Sequence, residues 1–184
     1  MEFKNKNILS LTWSNEVIKL NGHELFRAEQ STELTTIPAM VYRHFGIAYA
    51  KFFKMDLLSK VAFLSAELLL KDQNRSSIPN ERIATIISTK NGSLEVDKAF
   101  EQSRKEIASP ALFVYTLPNI MLGEISIRNS FKGEQVCLIT EDADDKIVPF
   151  YVDSLLKKDK ISACLFGFVD AVQNKIEVKL NWLF

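Results

Sequence analysis

Two kinds of hydrophobic pattern alternate along the chain. Five short runs rich in branched apolar residues predict β-strands, at residues 8–13, 83–88, 135–140, 161–169 and 175–182. The last run alternates most clearly, because Ile176, Val178 and Leu180 fall on one face and polar residues fall between them. We therefore expect residues 161–169 and 175–182 to close a sheet as an antiparallel pair.

Helical spacing separates these runs. Residues 56–70 carry an apolar stripe so broad that we expect a helix buried on most sides, with Asp56 capping its first turn. Further helices are expected after Ser93, near Pro118 and over residues 144–158, where acidic residues come first and lysines come last. Because Pro149 is awkward inside a helix, the last of these either begins near Val148 or has a distorted first turn. Residues 21–36 are polar and irregular, and we expect them to cross the surface without regular structure.

The order of these elements predicts an α/β fold. It indicates a mixed five-stranded sheet with helices on both faces and an antiparallel last strand. The length of 184 residues predicts one domain, covering residues 1–184, that is large enough to bury a core without disulfides.

Composition narrows the classes of function. The formal net charge is zero, so no long-range field favours nucleic acid or an anionic membrane surface. No apolar run approaches the ~20 residues of a membrane span, and the first residues lack the apolar segment of a signal peptide. We therefore expect a cytoplasmic protein. Cys137 and Cys164 lie in apolar runs, which predicts buried, reduced thiols.

Motifs for cofactors, metals and hydrolytic chemistry are missing from the sequence. The six glycines are scattered singly, so neither a phosphate loop nor a dinucleotide fingerprint occurs, and no serine lies in a Gly-x-Ser-x-Gly run. The acidic residues at 141–145 lack the glycine and the terminal glutamate of a calcium loop, which favours a solvated helix start. We expect no cofactor and no metal, and structural roles for His23 and His44.

The most specific pattern lies between residues 118 and 142. Asn119, Gly123 and Gly133 stand at the spacing N-x3-G-x9-G, and the apolar run 135–140 follows them. This frame resembles the nucleophile elbow of the β-ketoacyl-ACP synthases. Three further stretches resemble the same family: KMDLLSKVAFLSAELLLKD, RIATIISTKNGSLE and ACLFGFVDA. In the last of them, Gly167 and Asp170 match the spacing of a family motif.

The resemblance implies one half of a thiolase-like fold, as a stand-alone domain similar to the amino-terminal half of a ketosynthase. It also implies that Asn119, Gly123, Gly133 and Gly167 are structural residues of the inherited frame. A glycine inside a predicted helix costs roughly 1 kcal/mol against alanine, so we expect another backbone to approach Gly123 closely.

Two departures from the family argue against catalysis. The position of the family's nucleophilic cysteine falls on Asp142, preceded by Glu141, and a carboxylate cannot replace a thiolate in acyl transfer. The family's catalytic histidines and lysine belong to the second half of its fold, which has no counterpart in these 184 residues. We therefore expect a protein that is not an enzyme and that resembles the inactive chain length factors.

The first functional hypothesis follows from that likeness. It is a catalytically inactive subunit that pairs with an active ketosynthase, or with itself, and supports fatty-acid or polyketide synthesis on an acyl carrier protein. Aryl-polyene and flexirubin-type pigment pathways are a setting that the resemblance suggests. Family members dimerise edge to edge, and residues 135–140 are the candidate edge strand.

Two alternatives remain open. One is a stand-alone scaffold that binds a carrier protein through short basic stretches such as residues 51–60 and 157–160. The other is an acyl-thioester enzyme that uses Glu141 or Asp142 as a general base. A carboxylate at a helix N-terminus would be a poor base at neutral pH, which argues against the enzyme.

Overall fold

A computed structural model of the chain describes residue 3, residues 6–105 and residues 107–184. These described residues form seven strands: β1 Ile8–Ser14, β2 Val17–Leu20, β3 His23–Arg27, β4 Ile83–Thr89, β5 Gln135–Ile139, β6 Ala163–Val172 and β7 Lys175–Leu183. Six α-helices accompany them: α1 Ile37–His44, α2 Leu57–Leu70, α3 Leu94–Ser103, α4 Pro110–Tyr115, α5 Ile120–Asn129 and α6 Ile147–Lys157. None of the helices described is both long and apolar enough to cross a bilayer.

All seven strands form one mixed sheet with the order β3-β2-β1-β7-β6-β4-β5. Strand β4 pairs in parallel with both β5 and β6. The pairs β6–β7, β7–β1, β1–β2 and β2–β3 are antiparallel. The two free edges are therefore β3 at one end and β5 at the other, and the α/β class and the antiparallel last pair are confirmed.

The prediction of five strands is wrong, because the sheet has seven. Strands β2 and β3 form a hairpin within a region that we expected in part to be irregular, at residues 21–36. Asn21 and Gly22 connect them with φ of 50° and 82°, the left-handed values of a tight two-residue turn. An Asn-Gly pair is a recognised signal of a hairpin turn, so the turn itself could have been predicted from the sequence.

Helix α2 is the centre of the larger core. Most of its residues are buried, and the carboxylate of Asp56 accepts hydrogen bonds from the amides of Leu58 at 3.1 Å and Ser59 at 3.2 Å, as the sequence predicted. Together with α5, it packs on one face of the sheet, where Trp13 and Trp182 are fully buried. The two buried tryptophan side chains therefore contribute much of the core between α2 and the antiparallel half of the sheet.

Helix α6 covers the opposite face, but only over part of the sheet. Its Val148, Val152 and Leu155 side chains pack against Ile86 and Phe166, which lie on β4 and β6. Helices therefore lie on both faces, as predicted. On the uncovered part of this face the side chains are polar and reach solvent: Thr12, Ser14, Glu177 and Lys179.

The start of α6 agrees with the later of the two starts left open by Pro149. The helix begins at Ile147, one residue before Val148, and Pro149 lies in its first turn. Asp144 and Asp145 belong to the preceding turn and are exposed. Proline is tolerated in a first helical turn because the amide there has no partner within the helix. The expectation that this helix is half solvated holds, since Phe150 is 61% exposed.

Candidate functional site

Asp142, which the sequence resemblance aligns with the nucleophile of the ketosynthases, lies in a solvent-exposed turn between β5 and α6. Asp142 is exposed, and its Oδ1 accepts a hydrogen bond of 2.8 Å from the amide of Asp144. Its carbonyl oxygen accepts from the Thr140 hydroxyl at 3.2 Å. Since α6 begins five residues later, Asp142 does not lie at a helix N-terminus. Its carboxylate shapes the turn instead of facing the amides of a first helical turn.

The other acidic residues of this turn form surface ion pairs. Glu141 lies 3.6 Å from Lys90, and Asp144 lies 2.5 Å from Lys179 on β7. The hydrogen bond from Lys179 is the main reason that the pKa of Asp144 is lowered. Within the part of the chain that the structure describes, no three His, Cys, Asp or Glu side chains are grouped in a way that could hold a metal ion.

Neither cysteine has the environment of a reactive thiol. Cys137 lies on β5 and is half-buried, so the expectation of full burial is wrong for it, and burial raises its pKa to about 11. Cys164 is fully buried on β6, and burial raises its pKa further. Thiolates, not thiols, are the nucleophiles, so both side chains are inert at neutral pH.

Asp170 organises the turn beside the elbow, and sequence reasoning noticed only its spacing. This side chain at the end of β6 is buried, and its Oδ1 accepts from the Thr89 hydroxyl at 2.8 Å, the Lys90 amide at 3.2 Å and the Asn91 amide at 2.8 Å. Its Oδ2 accepts from the Asn91 side-chain amide at 2.6 Å. One carboxylate thus fixes the whole chain reversal between β4 and α3.

The glycines of the frame have different roles. A Cβ at Gly133 would collide with the carbonyl oxygen of Ile83, and a Cβ at Gly167 would collide with that of Lys179, where φ is also +147°. These two positions therefore require glycine. At Gly123 nothing lies within 4 Å of an added Cβ, so the expected close backbone approach there is wrong.

Asn119 contributes through its backbone. It precedes the first residue of α5, its side chain is exposed, and it makes no side-chain hydrogen bond to the helix. Its carbonyl oxygen accepts from the amides of Leu122 at 3.0 Å and Gly123 at 3.3 Å. The structure thus provides no side-chain contact that explains an asparagine here.

A buried carboxylate that sequence reasoning missed lies in the next turn of α5. Glu124 is 8% exposed, and it accepts hydrogen bonds from the hydroxyls of Tyr49 at 3.0 Å and Tyr115 at 3.5 Å. Burial and the neighbouring Glu124 charge raise the pKa of Tyr115 to about 12. This cluster ties α4 and the loop before α2 to α5, and no spacing rule connects residues so far apart in the chain.

Strand β5 leaves one row of backbone groups without a partner strand. The Thr85 amide donates to the carbonyl of Glu134, and the Thr140 amide donates to the carbonyl of Thr89. Because this direction alternates along a strand, the amides and carbonyls of Gln135, Cys137 and Ile139 point away from β4, toward the free edge. The strand carries no charged residue, so nothing on it discourages pairing with another strand.

Large apolar side chains surround this free edge. We call the group the β5 apolar surface, and its exposed members are Leu117, Ile127, Ile139 and Phe150. Gly92 lies against both Pro118 and Ile139, which brings the end of α4 beside β5. On the other side, Tyr151 of α6 hydrogen-bonds Glu134 immediately before β5. The apolar side chains thus belong to elements that border one edge.

Comparisons with solved structures identify the architecture. The chain superposes on a structure described as the ishigamide ketosynthase/chain length factor with a TM-score of 0.68, at 15% identity over 97% of this chain and 61% of that one. A ketosynthase in complex with its chain length factor from Xenorhabdus doucetiae gives 0.61, at 12% identity, over 96% and 76%. A type II polyketide synthase carrier protein in complex with its ketosynthase gives 0.62, at 13% identity, over 92% and 52%.

These likenesses show a ketosynthase-like, thiolase-type fold. The chain spans less than two thirds of the first of these structures and about half of the third. No family model matches the sequence, and no curated protein matches it.

Proposed function

We propose that this chain is a non-catalytic ketosynthase-like subunit that pairs through β5 with an active ketosynthase. In that complex it would support the synthesis of a fatty-acid or polyketide acyl chain carried on an acyl carrier protein. The observation that carries the proposal is the open, uncharged β5 edge surrounded by the β5 apolar surface.

The geometry of the edge favours another sheet as the partner. An unpaired row of amides and carbonyls binds an added strand through backbone hydrogen bonds, while pockets between side chains select the partner. Ile139 and Phe150 are 67% and 61% exposed, which is costly in water and favourable in an interface. A ketosynthase that presents its own edge strand would bury both features at once.

The elbow supports a role without catalysis. Asp142 replaces the nucleophile in an exposed turn, and the two thiols of the chain are held in their neutral form. We propose that Asn119, Gly123, Gly133 and Gly167 remain as the structural frame of an ancestral elbow. Among them, Gly133 and Gly167 are the two whose replacement would displace neighbouring backbone.

The comparisons add the kind of partner. One similar structure is a ketosynthase in complex with its chain length factor, and another is described as a ketosynthase/chain length factor. A subunit of this kind would act on the length of the acyl chain and not on its chemistry. Pigment pathways of the aryl-polyene or flexirubin type are the setting that we propose for it.

Co-expression with a full-length ketosynthase from the same organism tests the proposal. We expect a complex of one copy of each chain by light scattering, and a changed distribution of acyl-chain lengths when the complex is supplied with carrier protein. Two variants address the edge: Cys137→Pro removes an outward-facing amide without touching the bonds to β4, and Ile139→Lys places a charge on the β5 apolar surface.

Both variants should abolish the complex. Ile8→Lys is the matched control, because Ile8 is an isoleucine 42% exposed on β1, away from the edge. A complex that survives both edge variants would contradict the proposed interface. A homodimer that is lost with the same variants, and that never binds the ketosynthase, would assign the edge to self-association instead.

A further inference from the structure

A basic groove lies outside the proposed interface. It runs between the C-terminal ends of α2 and α5 and the loop at residues 45–48, and it encloses about 520 Å³. This volume is within the range of about 300–1,000 Å³ that is typical of small-molecule sites. None of the residues that line it belongs to β5 or to the β5 apolar surface.

Arg128 forms one fixed side of the groove. Its Nη2 donates to Glu67 Oε2 at 2.9 Å, and its Nε lies 3.2 Å from both oxygens of that carboxylate. The guanidinium also lies over the ring of Tyr49, 5.6 Å from its centre. The ion pair and the aromatic ring together hold the plane of the guanidinium in one orientation.

Arg75 is the most unusual cation of the groove. It is half-buried, its Nη1 donates to Asn129 Oδ1 at 2.8 Å, and it lies 5.3 Å from the centre of the Phe131 ring. Burial lowers its pKa, which reflects the cost of holding the charge away from water. Among the described residues, no carboxylate lies within 4.0 Å of it, so most of its five N–H donors are free of acidic partners.

The remaining lining residues add positive charge and apolar surface. Lys71 lies 6.0 Å from the centre of the Phe45 ring, and the described residues include no acidic partner for it within 4.0 Å. Glu67 is the one acidic side chain of the lining, against three cations. Phe45 and Ile47 contribute an apolar wall beside them.

We propose that this groove binds a small amphiphilic anion. Arg75 and Lys71 would hold its phosphate or carboxylate head, and Phe45 and Ile47 would contact its apolar part. A desolvated guanidinium without an acidic partner is stabilised by an anionic ligand, and its flat fork of donors matches both head groups. Arg128 is already paired with Glu67, so this pair would supply a fixed wall, and the net positive charge of the groove comes from Arg75 and Lys71.

The test is isothermal titration calorimetry of the full chain with octyl phosphate, octanoate and octanol. Octyl phosphate and octanoate distinguish the two head groups, and octanol measures the apolar part alone. We expect at least one of the anions to bind at least about tenfold more tightly than octanol, because this difference of about 1.4 kcal/mol is less than one charge-assisted hydrogen bond contributes. Arg75→Gln should weaken that anion by about tenfold or more, and Lys71→Gln should weaken it by a smaller factor.

Two control variants separate this site from other surfaces. Lys98→Gln removes an exposed charge on α3 and should leave the affinity unchanged. Ile139→Lys changes the β5 apolar surface and should also leave it unchanged, so the proposed partner and the proposed ligand fail independently. If Arg75→Gln does not fold by circular dichroism, Lys71→Gln alone decides whether the groove is responsible.

The competing role of these cations is to neutralise the negative C-terminal ends of α2 and α5. In that case neither anion binds more tightly than octanol, and Arg75→Gln lowers only the thermal stability. Equal binding by the wild type and by both groove variants would likewise overturn the proposal.

Discussion

The carboxylate of Asp170 should control both the stability of the fold and the shape of the turn between β4 and α3. Asp170→Ala removes all four of its hydrogen bonds and leaves the buried Thr89 hydroxyl without an acceptor. Hydrogen bonds to a charged group are worth about 1.5–3 kcal/mol each, and bonds to a shared acceptor are not additive. We expect Asp170→Ala to lower the free energy of unfolding by about 3–5 kcal/mol.

Asp170→Asn should cost less, about 1–2 kcal/mol, since the amide oxygen can keep the three bonds now made by Oδ1. The lost bond is the one at Oδ2, where the new amide would face the side-chain amide of Asn91. Rotation of the Asn91 amide would restore a neutral bond there. The difference in unfolding free energy between Asp170→Asn and Asp170→Ala therefore separates the contribution of the carboxylate charge from that of the hydrogen-bonding shape.

Urea unfolding followed by tryptophan fluorescence measures these changes, because Trp13 and Trp182 are both fully buried. Asp159→Asn is the matched control: its side chain is 89% exposed and pairs with Arg82, and an exposed pair is worth less than about 1 kcal/mol. The reasoning is refuted if Asp170→Ala is no more destabilising than this control. Amide exchange at Asn91 should also speed up in Asp170→Ala, and unchanged exchange would contradict the role in the turn.

Three further outcomes are expected. Gly133→Ala should destabilise the fold by about 3 kcal/mol or more, because its Cβ would meet the Ile83 backbone, whereas Gly123→Ala should stabilise α5 by about 1 kcal/mol. Urea unfolding of both variants tests this contrast, and equal effects would contradict it. Burial, followed by the nearby Glu124 charge, raises the pKa of Tyr115 to about 12, so the difference between the ultraviolet titrations of wild type and Tyr115→Phe should show a phenolate midpoint of about 12. Because the folded pKa exceeds the unfolded value, this tyrosine lowers the stability of the fold as pH rises from about 10 to 12. A midpoint near 10 would be inconsistent with this burial. Burial raises the pKa of Cys137 from 9.0 to about 11, so its alkylation at pH 8 should be about a hundredfold slower than that of a free thiol. Mass spectrometry measures both rates, and an alkylation rate equal to that of a free thiol would disprove the prediction.

Strong hydrophobic periodicity made much of the fold predictable. The five predicted strands, the buried helix α2 and its Asp56 cap all occur in the structure. The hairpin of β2 and β3 was missed because its residues alternate weakly and one of its strands has only four residues. Two starts of α6 were compatible with the sequence, because acidic residues suit both a helix N-terminus and the turn before it. Side-chain hydrogen bonds to the amides of Asp144 and Ile147 favour the turn.

The site was less predictable because its contacts join distant parts of the chain. The Asp170 network connects the end of β6 with the turn after β4, and Glu124 connects α5 with tyrosines on two other segments. Spacing in the sequence included both Gly123 and Gly133 in one frame, but only Gly133 lies against another backbone. Local patterns report which residues share a face, but they do not report which faces meet.

The two edges of the sheet differ in a way that limits how many chains can join. Strand β3 carries exposed His23 and the Glu24–Arg27 ion pair and pairs irregularly with β2, features that discourage strand addition. Strand β5 has none of these protections. If the proposed β5 interface forms, the chain would act as a terminator of a sheet-to-sheet assembly, because one edge accepts a strand and the opposite edge discourages a second. Association through β5 would then favour a pair over a growing fibre.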